Sequence, residues 1–235
     1  EEVDGVLSRI DRLLASGAAP GEIYLVPGDA SRYGPALRAG LARRGLVLFW
    51  EERRPLSSHP VVELTLASLQ SALKNFRREE VLRAAKSGFS PLTNDEAELF
   101  EDYVLRFGVN FGGFCAPFTR GADSRPALLV AAEQARQKLL PPLMALRESL
   151  KAAKTAKELC KALYDYLLSI GLWEKLNDSV SLWKEEGRLD AAAENAQVWN
   201  ALLELLDQIA ELMDGPLDAQ AFVQILDEGF AAHTI

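Results

Sequence analysis

Ser57-Ser58-His59-Pro60, with Val62, Leu66, Leu69 and Leu73 behind it, is where the chain changes character. Three residues able to cap a helix precede a proline at a plausible first helical position, and apolar residues then recur at helical spacing. The spacing predicts a helix from Pro60 onward. Nearly everything downstream continues in the same way, with helices predicted over residues 79–86, about 95–107, 126–150, 155–170, 172–186, 190–213 and 218–231. Thr155-Ala156-Lys157-Glu158 has the spacing of a capping box, a hydroxyl at the cap and a carboxylate three residues on. Pro141-Pro142 is predicted to break or kink the long helix that carries it. No repeat of fixed period emerges.

Upstream the texture differs. Val3, Val6, Leu7, Ile10, Leu13 and Leu14 predict a first helix, stopped by Gly17 and Pro20-Gly21. Ile23-Tyr24-Leu25-Val26 reads as a short strand closed by Pro27-Gly28-Asp29. A second helix carries Leu37 and Leu41, with Gly45 at its C′ position. Leu46-Val47-Leu48-Phe49-Trp50 is a second strand candidate, followed by the charged Glu51-Glu52-Arg53-Arg54. Strand, helix, strand at this length is a βαβ unit with parallel strands. Two strands do not make a stable parallel sheet, so neighbours elsewhere or buttressing helices are implied. The expected fold class is mainly α with a small α/β part: a βαβ segment over 1–57 packed against a larger multi-helix domain over 58–235.

The chain has 235 residues, 49% hydrophobic and 26% charged, enough to bury a substantial core. No apolar run approaches the roughly 18 residues that span a bilayer, and no signal peptide is visible at the start. The first residue is Glu, so the sequence reads as an excised segment or a trimmed chain. Cys115 and Cys160 are too few for a disulfide framework or a zinc site and are expected to be reduced, buried thiols of a cytoplasmic protein. The net charge of −8 argues against a dedicated basic clamp on nucleic acid. Basic and acidic residues balance up to Ser57, so the helical part carries the whole excess.

Catalytic motifs are missing. No Gly-x-x-x-x-Gly-Lys-Ser/Thr occurs, and Pro27-Gly28-Asp29, at the place of a phosphate loop, has one Gly and no Lys. His59 reads as a capping or packing group, and His233 lies near the chain end; neither has a spaced partner for a relay. Asp95, Glu96, Glu98, Glu101 and Asp102 crowd one segment, best read as a solvated face. No strand presents the carboxylate-plus-lysine pattern of a restriction-like nuclease. The expectation is a chain with no catalytic, cofactor or metal site of its own, and so no enzyme by itself.

Three features keep a binding role open. Lys74, Arg77, Arg78, Arg83 and Lys86 cluster around a helix junction. Arg147, Lys151, Lys154, Lys157 and Lys161 would share one side of a continuous helix, although the capping box at Thr155 would split that stripe. Either set could track a phosphate backbone or be ordinary solvated surface. The irregular stretch 108–125 sets Phe111, Phe114 and Phe118 among Gly108, Gly112, Gly113 and Gly121. Its aromatics could plug a core, or stack on bases where Gly-rich backbone nears phosphate. The candidate DNA contacts are therefore Lys74, Arg77, Arg78, Arg83, Lys86, Lys154, Lys157, Lys161, Phe111 and Phe114.

Arg53-Arg54-Pro55-Leu56-Ser57-Ser58-His59-Pro60-Val61-Val62-Glu63-Leu64 resembles the K-R-P-L-S-x-H-P-L-V-E-L stretch of AddB, one of the two subunits of bacterial AddAB-type ATP-dependent helicase/deoxyribonucleases. Other blocks agree in order. Residues 23–29 with Tyr33 and Pro35 resemble I-A-V-L-V-R-D…Y-x-P, residues 81–88 resemble V-F-R-L-L-K-T-G, and residues 99–108 resemble L-E-N-Y-V-L-x-F-G. Gln197-Val198-Trp199 and residues 222–229 fit later helices of the family.

The resemblance implies a superfamily 1 helicase-like architecture. Residues 1–57 would open the second RecA-like (2A-type) domain and 58–235 would form the inserted helical (2B-type) domain. It implies work in double-strand break processing and recombinational repair, in the cytoplasm, beside an AddA-type subunit, on double-stranded or forked DNA, with no membrane and no small-molecule substrate. ATP, Mg2+, an iron–sulfur cluster and the nuclease site would belong to the parent outside this segment, with a RecA-like region before Glu1 and a nuclease domain after Ile235. The family's helicase half is thought to scan DNA rather than to drive it. Gly28 stands where the family string has Arg, which weakens any nucleotide role for this segment. The rival expectation is a helical protein–protein adaptor with no nucleic-acid role.

Overall fold

The computed structural model describes residues 2–46 and 55–234. Ten α-helices are present among them: α1 (Glu2–Ala15), α2 (Ala30–Ala42), α3 (Pro60–Leu73), α4 (Arg78–Ala85), α5 (Asn94–Phe107), α6 (Pro126–Ala152), α7 (Ala156–Ser169), α8 (Leu172–Glu185), α9 (Leu189–Leu212) and α10 (Ala219–Ala232). The chain is mainly helical and divides into two compact units, Glu1–Arg53 and Arg54–Ile235.

In the first unit α1 packs on α2. Leu7, Ile10 and Leu41 are buried together, with Val3, Leu14, Ile23, Leu25 and Leu46 against them. Gly40 allows the close approach, because a Cβ there would lie 2.3 Å from Leu7 Cδ1. Asp29 caps α2 by accepting the Arg32 N–H at 3.1 Å, so Pro27-Gly28-Asp29 is a turn into a helix. The expected α/β character is not seen as a sheet. Residues 23–26 form no strand among the described residues, and 47–50, the core of the second strand candidate, lie outside them. The segment still alternates as a strand does: Ile23 and Leu25 turn to the core while Tyr24 and Val26 are 85% and 95% exposed.

The second unit is built around α3. His59 is its N-cap, accepting the Val61 N–H on Nδ1 at 3.2 Å, and Pro60 opens the first turn. Val61, Leu64, Ala67 and Leu69 are fully buried, as are Thr65 and Ser68. A helix buried nearly all round belongs at a centre; α4, α6 and α10 pack on it. Its polar residues find local partners. Thr65 donates to Val61 O at 2.7 Å, and Ser68 shares a 2.7 Å hydrogen bond with the buried Tyr166 hydroxyl of α7. Burial raises the Tyr166 phenol above its usual range.

The other helices surround this centre, α5 on α6, α6 on α7, and α7 and α8 on α9. Thr93–Glu96 and Thr155–Glu158 form reciprocal capping boxes at α5 and α7. The basic stripe is therefore split, since α6 ends at Ala152 and α7 begins at Ala156.

One expectation, that both thiols are buried, is corrected. The helix predicted over 126–150 is present, and Pro141-Pro142 lies within it without ending it, since α6 runs on to Ala152. Each interior proline costs about 3 kcal/mol. Leu139, Leu140, Leu143 and Leu146, all buried around the pair, return about 1.5–3 kcal/mol each. Of the thiols, Cys160 is buried, but Cys115 is exposed because it caps a surface turn.

The two ends of the second unit meet. Pro55 and Thr234 form an antiparallel bridge, and the Leu56 N–H donates to His233 O at 2.8 Å.

Candidate nucleic-acid interface

Two features far apart in sequence meet at one cleft. Lys74 ends α3, and Asn75 and Phe76 turn the chain into α4 with φ of 55° and 59°. Both are left-handed, a region that suits Asn but is rare for Phe. Arg147 of α6 holds the turn: its Nη1 donates to Asn75 Oδ1 at 2.7 Å, and its guanidinium lies 5.2 Å from the centre of the buried Phe76 ring. Arg147 is thus a turn clamp and not part of a stripe.

Asn110 brings up the second feature. Its Oδ1 accepts the Arg78 N–H at 2.8 Å and the Phe111 N–H at 3.0 Å. One side chain therefore fastens the start of α4 to the short 3-10 turn Phe111–Phe114. Phe111 also has a left-handed backbone, φ 47°, and its ring is half exposed. The resulting cleft, about 450 Å³, is lined by Lys74, Arg77, Arg78, Glu79, Asn110 and Phe111.

The rest of the Gly/Phe stretch is core. Phe114 and Phe118 are buried, 6.1 Å from the Phe100 ring in each case, and Tyr103 stacks on Phe118 at 4.6 Å. Phe114 therefore plugs the interior, and only Phe111 offers a ring to an outside partner. Glu133 and Arg136 of α6 lock the loop. Glu133 accepts the Phe118 N–H at 2.9 Å and two Arg136 N–H groups at 2.7 Å. The Arg136 guanidinium, helped by the Phe118 amide and Gln137 against the opposing effect of burial, holds the Glu133 carboxyl at about 2.

The basic candidates separate by their partners. Lys74 and Arg83 both grip the nearly buried Glu80, at 2.9 and 3.0 Å, and Arg83 also forks onto Glu63. Burial alone would raise the Glu80 carboxyl; Lys74 and Arg83 outweigh it and hold it below its ordinary value. Lys86 pairs with Glu101 at 2.6 Å and Lys161 with Asp165 at 2.5 Å. Arg77 pairs with Glu79 at 2.9 Å, both largely exposed. Arg78, Lys154 and Lys157 form no ion pair with another described residue. Lys154 and Lys157 flank the α6–α7 turn, and only Arg78 of the three lines the cleft.

The acidic segment is occupied in the same way, Glu96 by Lys138, Glu101 by Lys86 and Asp102 by Arg106. Among the described residues no group of three or more His, Cys, Asp and Glu is placed to hold a metal ion, and no helix is long and apolar enough to cross a membrane. His59 is committed to the core, where its Nε2 meets Asn195 Oδ1 at 2.8 Å.

No protein-family model matches the chain. Curated relatives do. The chain is 30% identical over 97% of its length to the AddB subunit of the ATP-dependent helicase/deoxyribonuclease of Anoxybacillus flavithermus, and 30% identical over 89% to that of Acetivibrio thermocellus. It is 27% identical over 98% to that of Alkaliphilus metalliredigens. The chain is an AddB-like segment. It covers 22%, 19% and 22% of those three proteins, so the AddB-like sequence spans about a fifth of its relatives' length. The AddB resemblance read from the Arg53–Leu64 string thus extends along nearly all of this chain. Asn110, which joins the Gly/Phe loop to α4, carried no signal in the sequence beyond its type, since its partner lies 32 residues away.

Proposed function

We propose that this AddB-like chain is a noncatalytic, DNA-proximal segment of a helicase–exonuclease that works in double-strand break processing and recombinational repair. The parent would be a cytoplasmic ATP-dependent enzyme paired with an AddA-type subunit. ATP, Mg2+ and an iron–sulfur cluster would be bound elsewhere in it. Residues 1–57 would contribute to a RecA-like domain, in which the exposed Tyr24 and Val26 would be covered, since parallel sheets are buried on both faces. Residues 58–235 would be the helical accessory domain.

The observation that carries the DNA-proximal reading is the cleft, where Arg77, Arg78 and the half-exposed Phe111 converge on an acidic chain whose other cluster cations are mostly spent on carboxylates. Basic side chains supply salt-dependent affinity for phosphate. The test is a mobility shift of forked DNA by the chain at low salt. Binding should weaken as salt rises and fall in R77E/R78E. Lys74 is left intact because it neutralises Glu80. Absence of any shift at low salt defeats the reading.

One observation favours the adaptor reading instead. Trp173 and Tyr164 are each about 40% exposed and lie against the buried Trp199, at 5.6 and 6.3 Å, with the exposed Leu168 nearby in sequence. Aromatics of this kind anchor protein interfaces. Failure of DNA binding, with W173A losing its hold on an AddA-type subunit, would favour it.

A further inference from the structure

We infer that the cleft between the Asn75–Phe76 turn and the 3-10 turn takes one nucleotide unit of a single-stranded DNA chain, its phosphate between Arg77 and Arg78 and its base on Phe111. This rests on the DNA-proximal reading and names the form of DNA that the site takes.

The cleft combines the two groups that a nucleotide requires. The cations come first. Arg78 lines the cleft with no carboxylate partner among the described residues, and its backbone is pinned by Asn110. Among the described residues Arg77 is paired only with Glu79, through side chains 49% and 64% exposed. Such surface pairs are weak, so a phosphate can draw the guanidinium away. Guanidinium groups bind phosphate oxygens in a fork, which fixes a backbone in place. Among the described residues that line the cleft Glu79 alone is acidic, and Arg77 screens it from an anion while turning its exposed guanidinium edge to the phosphate.

The aromatic group is set independently. Phe111 is the one aromatic of the Gly/Phe stretch between residues 111 and 118 that does not enter the core. Phe114 and Phe118, which follow it, are anchored by Phe100, Tyr103 and the Glu133–Arg136 clamp, so the chain leaving Phe111 is tied to the core. A duplex keeps its bases stacked inside and shows this ring only backbone. An unpaired base shows a π-face, and stacking on an aromatic is tolerant of sequence. A volume of about 450 Å³ suits one nucleotide and not a helix of DNA.

The experiment is fluorescence anisotropy at low salt with the full chain and four probes: short oligo-dT, an abasic single strand of equal length, the matching duplex and forked DNA. Oligo-dT should bind about tenfold more tightly than the abasic strand. F111A should erase that difference and F111W should keep it. R77Q/R78Q should weaken every probe. Circular dichroism checks that each variant keeps its helices. Equal binding of oligo-dT and the abasic strand, or unchanged oligo-dT binding by F111A, overturns the inference. If R77Q/R78Q still loses forked DNA in that case, the DNA-proximal reading stands without it. If no probe binds, both fall.

Discussion

Phe118 donates its backbone N–H to the Glu133 carboxylate at 2.9 Å, across 15 residues of chain. The same carboxylate takes both forks of Arg136, which in turn lies 5.8 Å from the centre of the Phe118 ring and reaches Phe114 O at 3.4 Å. One ion pair thus holds both ends of a hydrophobic plug.

Charge on Glu133 is therefore expected to matter for stability. Glu133→Gln should cost about 2 kcal/mol, the scale of a charge-assisted hydrogen bond. The carboxyl is held at about 2 in the folded chain against 4.5 ordinarily. A depressed folded value gives stability that is whole above pH 4.5 and drains as pH falls towards 2. Urea titrations across that window should show a shallower acid loss in Glu133→Gln than in the wild type.

Lys74 and Arg83 look like surface cations, but they neutralise Glu80, whose side chain is 7% exposed. Removing both leaves a buried carboxylate alone, at a cost of about 3 kcal/mol. Thermal melts should show K74A/R83A strongly destabilised, and Glu80→Gln added to that background should restore most of the loss. Ordinary surface residues would move stability by about 0.5 kcal/mol or less, with no rescue.

His59 gives a second, milder pH response. Its Nδ1 accepts the Val61 N–H, so Nε2 carries the proton given to Asn195, and Phe89 stacks on the ring. Burial lowers its pKa below 6.5, opposed by the Asn195 hydrogen bond. A lowered folded value means that stability is full above pH 6.5 and declines as pH falls below it, because the unfolded chain takes up the proton more readily. The melting temperature should drop between about pH 7 and about pH 5.5. His59→Gln should melt lower at neutral pH yet lose less over that interval.

Gly121 has φ of 90°, and a Cβ there would lie 2.7 Å from Phe107 Cζ. Gly121→Ala should cost about 1–2 kcal/mol from the left-handed backbone alone, plus the displacement of a ring that packs on Tyr103 at 4.7 Å. Near-ultraviolet circular dichroism should report the disturbed aromatics while helix content holds.

The helices were legible because their signals are local. Pro60 behind His59, the Thr155–Glu158 box and the periodic leucines of α6 state their structure within a few residues. The continuation of α6 through Pro141-Pro142 was legible from the same leucines, whose spacing carries across the pair. The division among the cations was not. The sequence displays Lys74, Arg78 and Arg83 alike, but whether each meets a carboxylate depends on Glu80 and Glu63 arriving from separate turns. The cleft was visible as two disconnected halves, a basic junction and a Gly/Phe loop. Only folding puts Asn110 between them.

The bridge between Pro55 and Thr234 has a geometric consequence. Bridged residues of antiparallel chains sit about 5 Å apart. The body of helices between them therefore begins and ends at a narrow neck. Close ends of this kind are the condition under which a domain is accepted as an insertion in a host loop.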